Sequence, residues 1–251
     1  MKLSILIPQL PSRDSSRLLQ ELHTQAEDLP VEILCLKDDS NSGVKRNLLT
    51  KQAQGEYICF VDDDDRVSTN YLSSIIEALQ TNPDLVTFNL EMNNGQKRET
   101  WKFCGAHDDR RLGLMLPNHL CVWKKSLAER VPWSPGLGTA DDILWYETMS
   151  ALCKRIDPPI QSVHIDKVLY HYIYSHLTTA NQSYKKIEEA KEYFGRKLRA
   201  YLHGDRVVTD HGYNRVYNEI ITVFTSTGIE SISRKELQTL CVVAPWFTRK
   251  R

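Results

Sequence analysis

The chain has 251 residues, 41% hydrophobic and 25% charged, with a formal net charge of zero. That is material for one α/β domain with an appendage, and a balanced charge gives no bulk argument for nucleic-acid or membrane-surface binding. The longest apolar run, residues 240–247, is too short to span a bilayer.

Residues 2–8 (KLSILIP) are apolar at almost every position and predict a buried strand closed by Pro8. Residues 14–27 place Leu18, Leu19 and Leu22 at helical spacing behind Asp14 or Ser15 as a cap. A second strand at 31–36 (VEILCL) runs into a polar loop over 37–43, and a helix at 45–54 is stopped by Gly55. A third strand at 57–61 (YICFV) runs straight into Asp62, Asp63, Asp64 and Asp65. A helix over 70–80 and a strand over 85–90 follow, then a polar irregular stretch to 111 with a short strand at Trp101 and Phe103. Residues 115–123 are apolar, 139–153 predict a helix opening on Asp141 and Asp142, and 163–174 read as extended. Beyond residue 181 the pattern is helical, over 184–202, 213–225 and 234–242.

Strands alternating with helices at this spacing predict a mostly parallel sheet, and ligands of such sheets bind beyond the carboxyl ends of the strands. Pro8, Asp38 and the aspartate run all lie there. Four adjacent carboxylates repel one another, and a divalent cation of the Mn²⁺ or Mg²⁺ type relieves the repulsion while bridging to phosphate oxygens. An exposed acidic turn is the alternative reading of the run. No Cys-x-x-Cys pair occurs among the six cysteines; Cys35 and Cys59 fall in strand runs and are expected reduced and buried. With no signal-type apolar stretch at the start, the expected location is cytoplasmic. Residues 1–183 carry 19 Lys and Arg against 24 Asp and Glu, and residues 184–251 carry 13 against 8, so a basic tail follows an acidic body.

Ser4 to Pro8, then Leu36-Lys37-Asp38-Asp39-Ser40, Lys45-Arg46-Asn47, and the block from Gly55 to Asp65 resemble, in order and spacing, the family 2 glycosyltransferases of the GT-A fold. The resemblance implies a GT-A domain over 1–180, and the helical pattern beyond it makes 181–251 a helical extension. It implies that Pro8 lines the nucleoside pocket, that Asp38 accepts a hydrogen bond from the base, and that Arg46 orients the nucleotide. Asp62 and Asp64 become the Asp-x-Asp pair, Asp62 toward ribose or metal and Asp64 as metal ligand, with Asp63 beside the nucleotide and the role of Asp65 open. Asp142 falls where the family places its catalytic base, and Asp141 stands where a glutamate is usual. His119, Trp133 and Asp141 are candidate donor or acceptor contacts, and His176 is a candidate third metal ligand. Ile173 stands where the family commonly has arginine.

The implied reaction is inverting transfer of a sugar from a nucleoside diphosphate sugar, UDP-linked in expectation, to the hydroxyl of a glycan or small molecule. A hydroxymethylated DNA base is an alternative acceptor. A nucleotide-binding protein without transfer activity is an alternative of another class. A third reading, phosphoryl or nucleotidyl transfer, lacks a glycine-rich phosphate loop.

Overall fold

β1 (Leu3–Gln9) is buried at every position, as expected of a strand with no polar alternation. It pairs in parallel with β2 (Val31–Lys37) on one side and β3 (Tyr57–Phe60) on the other, so the carboxyl ends of all three strands share one edge. The protein is described here from a computed structural model, over residues 1–93, 97–103, 115–133 and 141–173.

The remaining strands are β4 (Arg66–Val67), β5 (Leu85–Asn93), β6 (Arg98–Trp101), β7 (Val122–Lys124) and β8 (Ser162–Ile173). They complete one sheet in the order β2-β1-β3-β7-β5-β8-β4, with β6 on β5. The long pairings, β1 with β2 and β5 with β8, are parallel; the short ones through β7, β4 and β6 are antiparallel. The consequence for the site is that β8 returns beside β4, pairing His171 with Arg66 and Tyr170 with Val67. The end of β8 is thereby carried to the aspartate turn that separates β3 from β4.

The helices are α1 (Ser16–Ala26), α2 (Ser42–Gln52), α3 (Tyr71–Ala78), α4 (Lys125–Ala128) and α5 (Asp141–Cys153). α1 buries Leu18 and Leu22, and Asp14 accepts the Ser16 N–H at 2.9 Å at its start. α2 begins three residues before the expected position. Asn41 caps it, its side chain accepting from Val44 N at 3.0 Å, so the last two residues of the expected loop are helix. β5 is longer than predicted because β6 and β8 pair along it to Asn93.

Gly55 ends the α2 connection by lying against β1. A Cβ there would meet Ser4 Oγ at 2.5 Å, Ser4 N at 2.6 Å and the Leu3 carbonyl carbon at 2.8 Å. Two of the three are backbone atoms that cannot swing aside. Gly55→Ala is therefore expected to cost about 2–3 kcal/mol, read as a lower urea midpoint with unchanged slope.

Cys59 is buried as expected, but Cys35 is exposed: β2 is the edge strand and has a neighbour on one side only. Among the described residues no helix is long and apolar enough to cross a membrane. The helices expected beyond residue 181 and the boundary at 180 lie outside the described residues, as do Cys104 and Cys241.

Candidate active site

Pro8 sits in β1 opposite Leu36, one residue short of the strand end, and Asp38 follows β2 directly. Asp38 Oδ1 accepts from Ser40 N at 2.9 Å and from the Ser40 hydroxyl, and this hydrogen bonding holds its carboxyl below the usual range. Behind it, Lys45 is 1% exposed. Its ammonium donates to the Gln9 carbonyl at 2.7 Å and the Asp38 carbonyl at 3.0 Å, tying the ends of β1 and β2 together. Burial pushes the Lys45 pKa down against the pull of Asp38.

The four aspartates have four different environments. Asp62 Oδ1 lies 3.2 Å from Arg46 Nη2 and Oδ2 lies 3.3 Å from His119 Nε2. Burial alone would raise the Asp62 pKa, but His119 and Arg46 together hold it well below the usual carboxylate range. Asp63 is 3% exposed and accepts from Leu10 N at 2.7 Å and from the Arg13 guanidinium. Asp64 lies 2.9 Å from Arg13 Nη2. Its burial, with Asp62 and Asp63 beside it, outweighs Arg13 and pushes its pKa up to about 6. Asp65 is fully buried and accepts from the Tyr170 hydroxyl at 2.7 Å and from Ile173 N at 2.8 Å.

Tyr170 Oη also accepts the Asp62 N–H at 3.1 Å. One buried hydroxyl thus joins both ends of the aspartate run to β8. Tyr170→Phe would leave Asp65 short of a donor and Asp62 N short of an acceptor. The expected loss is about 2 kcal/mol in urea unfolding, the range for burying an unsatisfied polar group.

Arg46 is itself positioned. Its guanidinium lies 4.6 Å over the Trp133 ring, and that ring is stacked on Trp145 at 4.8 Å. Asn47 holds Trp133 by two hydrogen bonds, Nδ2 to the carbonyl at 2.8 Å and Oδ1 from N–H at 2.9 Å. Trp133, at 4% exposure, is the platform for Arg46. His119, 5% exposed, faces Asp62.

Tyr172, near the end of β8, gathers the site electrostatically. Its phenol is raised by burial and by the fields of Asp65, Asp62, Asp64 and Asp142. Asp142, partly exposed in the first turn of α5, therefore lies within electrostatic reach of the same phenol as the aspartate run. The Asp141 side chain and His176 lie outside the described residues.

Among the described residues no three His, Cys, Asp or Glu side chains form a group that could hold a metal ion. Asp62 and Asp64 are the carboxylates of the run that keep partial exposure, 24% and 18%. Magnesium-type ions are held by one or two carboxylates together with substrate phosphates. The residues present fit a cation that arrives with a diphosphate, and they do not form a protein-only cage.

Arg13, Tyr170, Tyr172 and the tying role of Lys45 were not assigned from sequence. Arg13 had a signal, as the only basic residue between β1 and α1. Tyr170 had none, since its hydrogen-bond partners lie more than 100 residues away.

Residues 11–126 match the family model of glycosyl transferase family 2. Among solved structures the chain is similar to S. aureus TarS 1–349 in complex with UDP-GlcNAc, with TM-score 0.55, 16% identity, and coverage of 98% of this chain and 80% of that one. It is similar to S. aureus TarS in a longer form with TM-score 0.53 and 16% identity, covering 90% of this chain and 44% of that one, so it spans less than half of the longer protein. No curated protein sequence matches the chain. At such identity the structural likeness speaks for the fold, and the family match covers the loop after β1, the Arg46 helix and the aspartate run. On these grounds residues 11–126 are similar to glycosyl transferase family 2, and the fold is that of the GT-A glycosyltransferase structures.

Proposed function

We propose that this protein transfers a sugar from a UDP-linked donor to an acceptor hydroxyl, with inversion at the anomeric carbon. The supporting observation is that Asp38, Arg46 and the aspartate run meet at one sheet edge, with Asp142 within electrostatic reach of the same phenol, Tyr172, as Asp62, Asp64 and Asp65. The UDP-GlcNAc carried by the TarS structure supports a UDP-sugar as donor.

In this reading Pro8 walls the nucleoside pocket. Ser40 and Lys45 engage Asp38 on Oδ1 and leave Oδ2 to accept the N–H of the base. Arg46, fixed between Trp133 and Asp62, orients the nucleotide. Asp62 and Asp64 would hold Mn²⁺ or Mg²⁺, which would supply positive charge to the departing diphosphate. Asp63 and Asp65 keep the turn in shape through Arg13 and Tyr170. Asp142 takes the proton of the acceptor hydroxyl as its oxygen attacks the anomeric carbon opposite the leaving phosphate, which inverts that centre. The acceptor is a glycan or small molecule.

A panel of nucleotide sugars with Mn²⁺ tests this directly. Release of a nucleoside diphosphate from one donor is the expected result. Release of inorganic phosphate or pyrophosphate, or failure of every donor to bind, contradicts it.

A further inference from the structure

Arg13 lies in the turn that leaves β1, and its guanidinium forks across two carboxylates. Nη1 is on Asp63 and Nη2 is on Asp64, the latter at 2.9 Å. The turn is stitched to the aspartate run by more than this side chain. Leu10 N donates to Asp63 Oδ2 at 2.7 Å, Gln9 Nε2 donates to the Arg13 carbonyl at 2.8 Å, and Arg13 N donates to the Leu10 carbonyl at 3.1 Å. Asp63 is thus a fixed anchor, buried and satisfied on both oxygens.

Asp64 is held differently. Among the described residues its cationic partner is Arg13, its neighbours Asp62 and Asp63 repel it, and it keeps 18% exposure. A guanidinium and a divalent cation both seek carboxylate charge, and a guanidinium fits phosphate oxygens as well as carboxylates.

We propose that Arg13 is a built-in counter-cation for Asp64, holding it while no donor is bound and yielding it when a nucleoside diphosphate arrives. Nη1 stays on Asp63, Nη2 passes from Asp64 to a phosphate oxygen, and Asp64 becomes available to the incoming cation. Metal and donor then bind as a pair, each strengthening the other by the same factor, and metal alone binds weakly. This inference rests on the donor-and-cation reading above.

The test is Mn²⁺ binding to the full chain, followed by the loss of the free-ion electron paramagnetic resonance signal, with and without UDP. Wild type is expected to bind Mn²⁺ weakly alone and more tightly with UDP. Arg13→Gln is expected to bind Mn²⁺ alone about tenfold more tightly, and to lose a similar factor of the UDP enhancement. Arg13→Lys keeps a positive charge on buried Asp63 but cannot fork, so it is expected to follow Arg13→Gln. It decides the matter by itself if the glutamine variant fails to fold. Folded Arg13 variants that bind Mn²⁺ alone no better than a wild type responsive to UDP overturn the inference and leave the functional reading standing. A wild type that binds neither Mn²⁺ nor UDP overturns both.

Discussion

Asp142→Asn is expected to lower the turnover number about 10³-fold while UDP affinity stays within about twofold of wild type, because a positioned general base contributes roughly 10²–10⁴-fold. The amide has the shape of the carboxylate but cannot take a proton. The main competing role for Asp142 is structural, since it lies in the first turn of α5, where acidic side chains favour the helix dipole. Asparagine gives up that charge at a cost of about 0.3–1 kcal/mol of stability, too little to unfold the site, so the substitution removes mainly the chemistry. Turnover with donor and acceptor, alongside UDP titration by calorimetry, separates the two. Loss of UDP binding together with turnover would make Asp142 a structural residue.

Asp64→Asn is expected to abolish the Mn²⁺-dependent part of UDP affinity and, at neutral pH, to make the protein more stable. The sign follows from a folded pKa near 6 against an ordinary 3.8. A carboxyl whose pKa rises on folding favours the folded state most when protonated. Its contribution is fully present below about pH 4 and is lost as pH rises through about 6. Asparagine mimics the protonated form. Its advantage over wild type should be absent near pH 4 and complete above pH 7, on the order of a few degrees in Tm. Asp62 has the opposite sign, since Arg46 and His119 hold its pKa down and its ionised form stabilises the fold. An Asp64→Asn variant with wild-type Mn²⁺-dependent UDP binding would remove Asp64 from the cation site.

The strands that build the site were legible because each is short, apolar and bounded by polar residues or proline, as in residues 2–8, 31–36 and 57–61. The aspartate run was legible as a feature but not as four roles. Nothing local distinguishes Asp63 from Asp64. What separates them is the Leu10 N–H from the loop after β1, which donates to Asp63, and Tyr170 from a strand more than 100 residues downstream marks out Asp65. Arg46 was legible by its block, but its support was not, because Trp133 approaches it from 87 positions away. The start of α2 was misplaced because Asn41 reads equally well as a loop residue and as a cap; only the bond to Val44 N decides.

The central claim is that the turn after β3 receives a cation together with a nucleoside diphosphate. A crystal structure grown with UDP and Mn²⁺, with anomalous data collected at the manganese edge, tests it most directly. The prediction is one manganese peak between the UDP diphosphate and the carboxylates of Asp62 and Asp64, with the uracil beside Asp38. A peak elsewhere, or UDP bound away from Asp38 with the Arg13–Asp64 pair undisturbed, would contradict it.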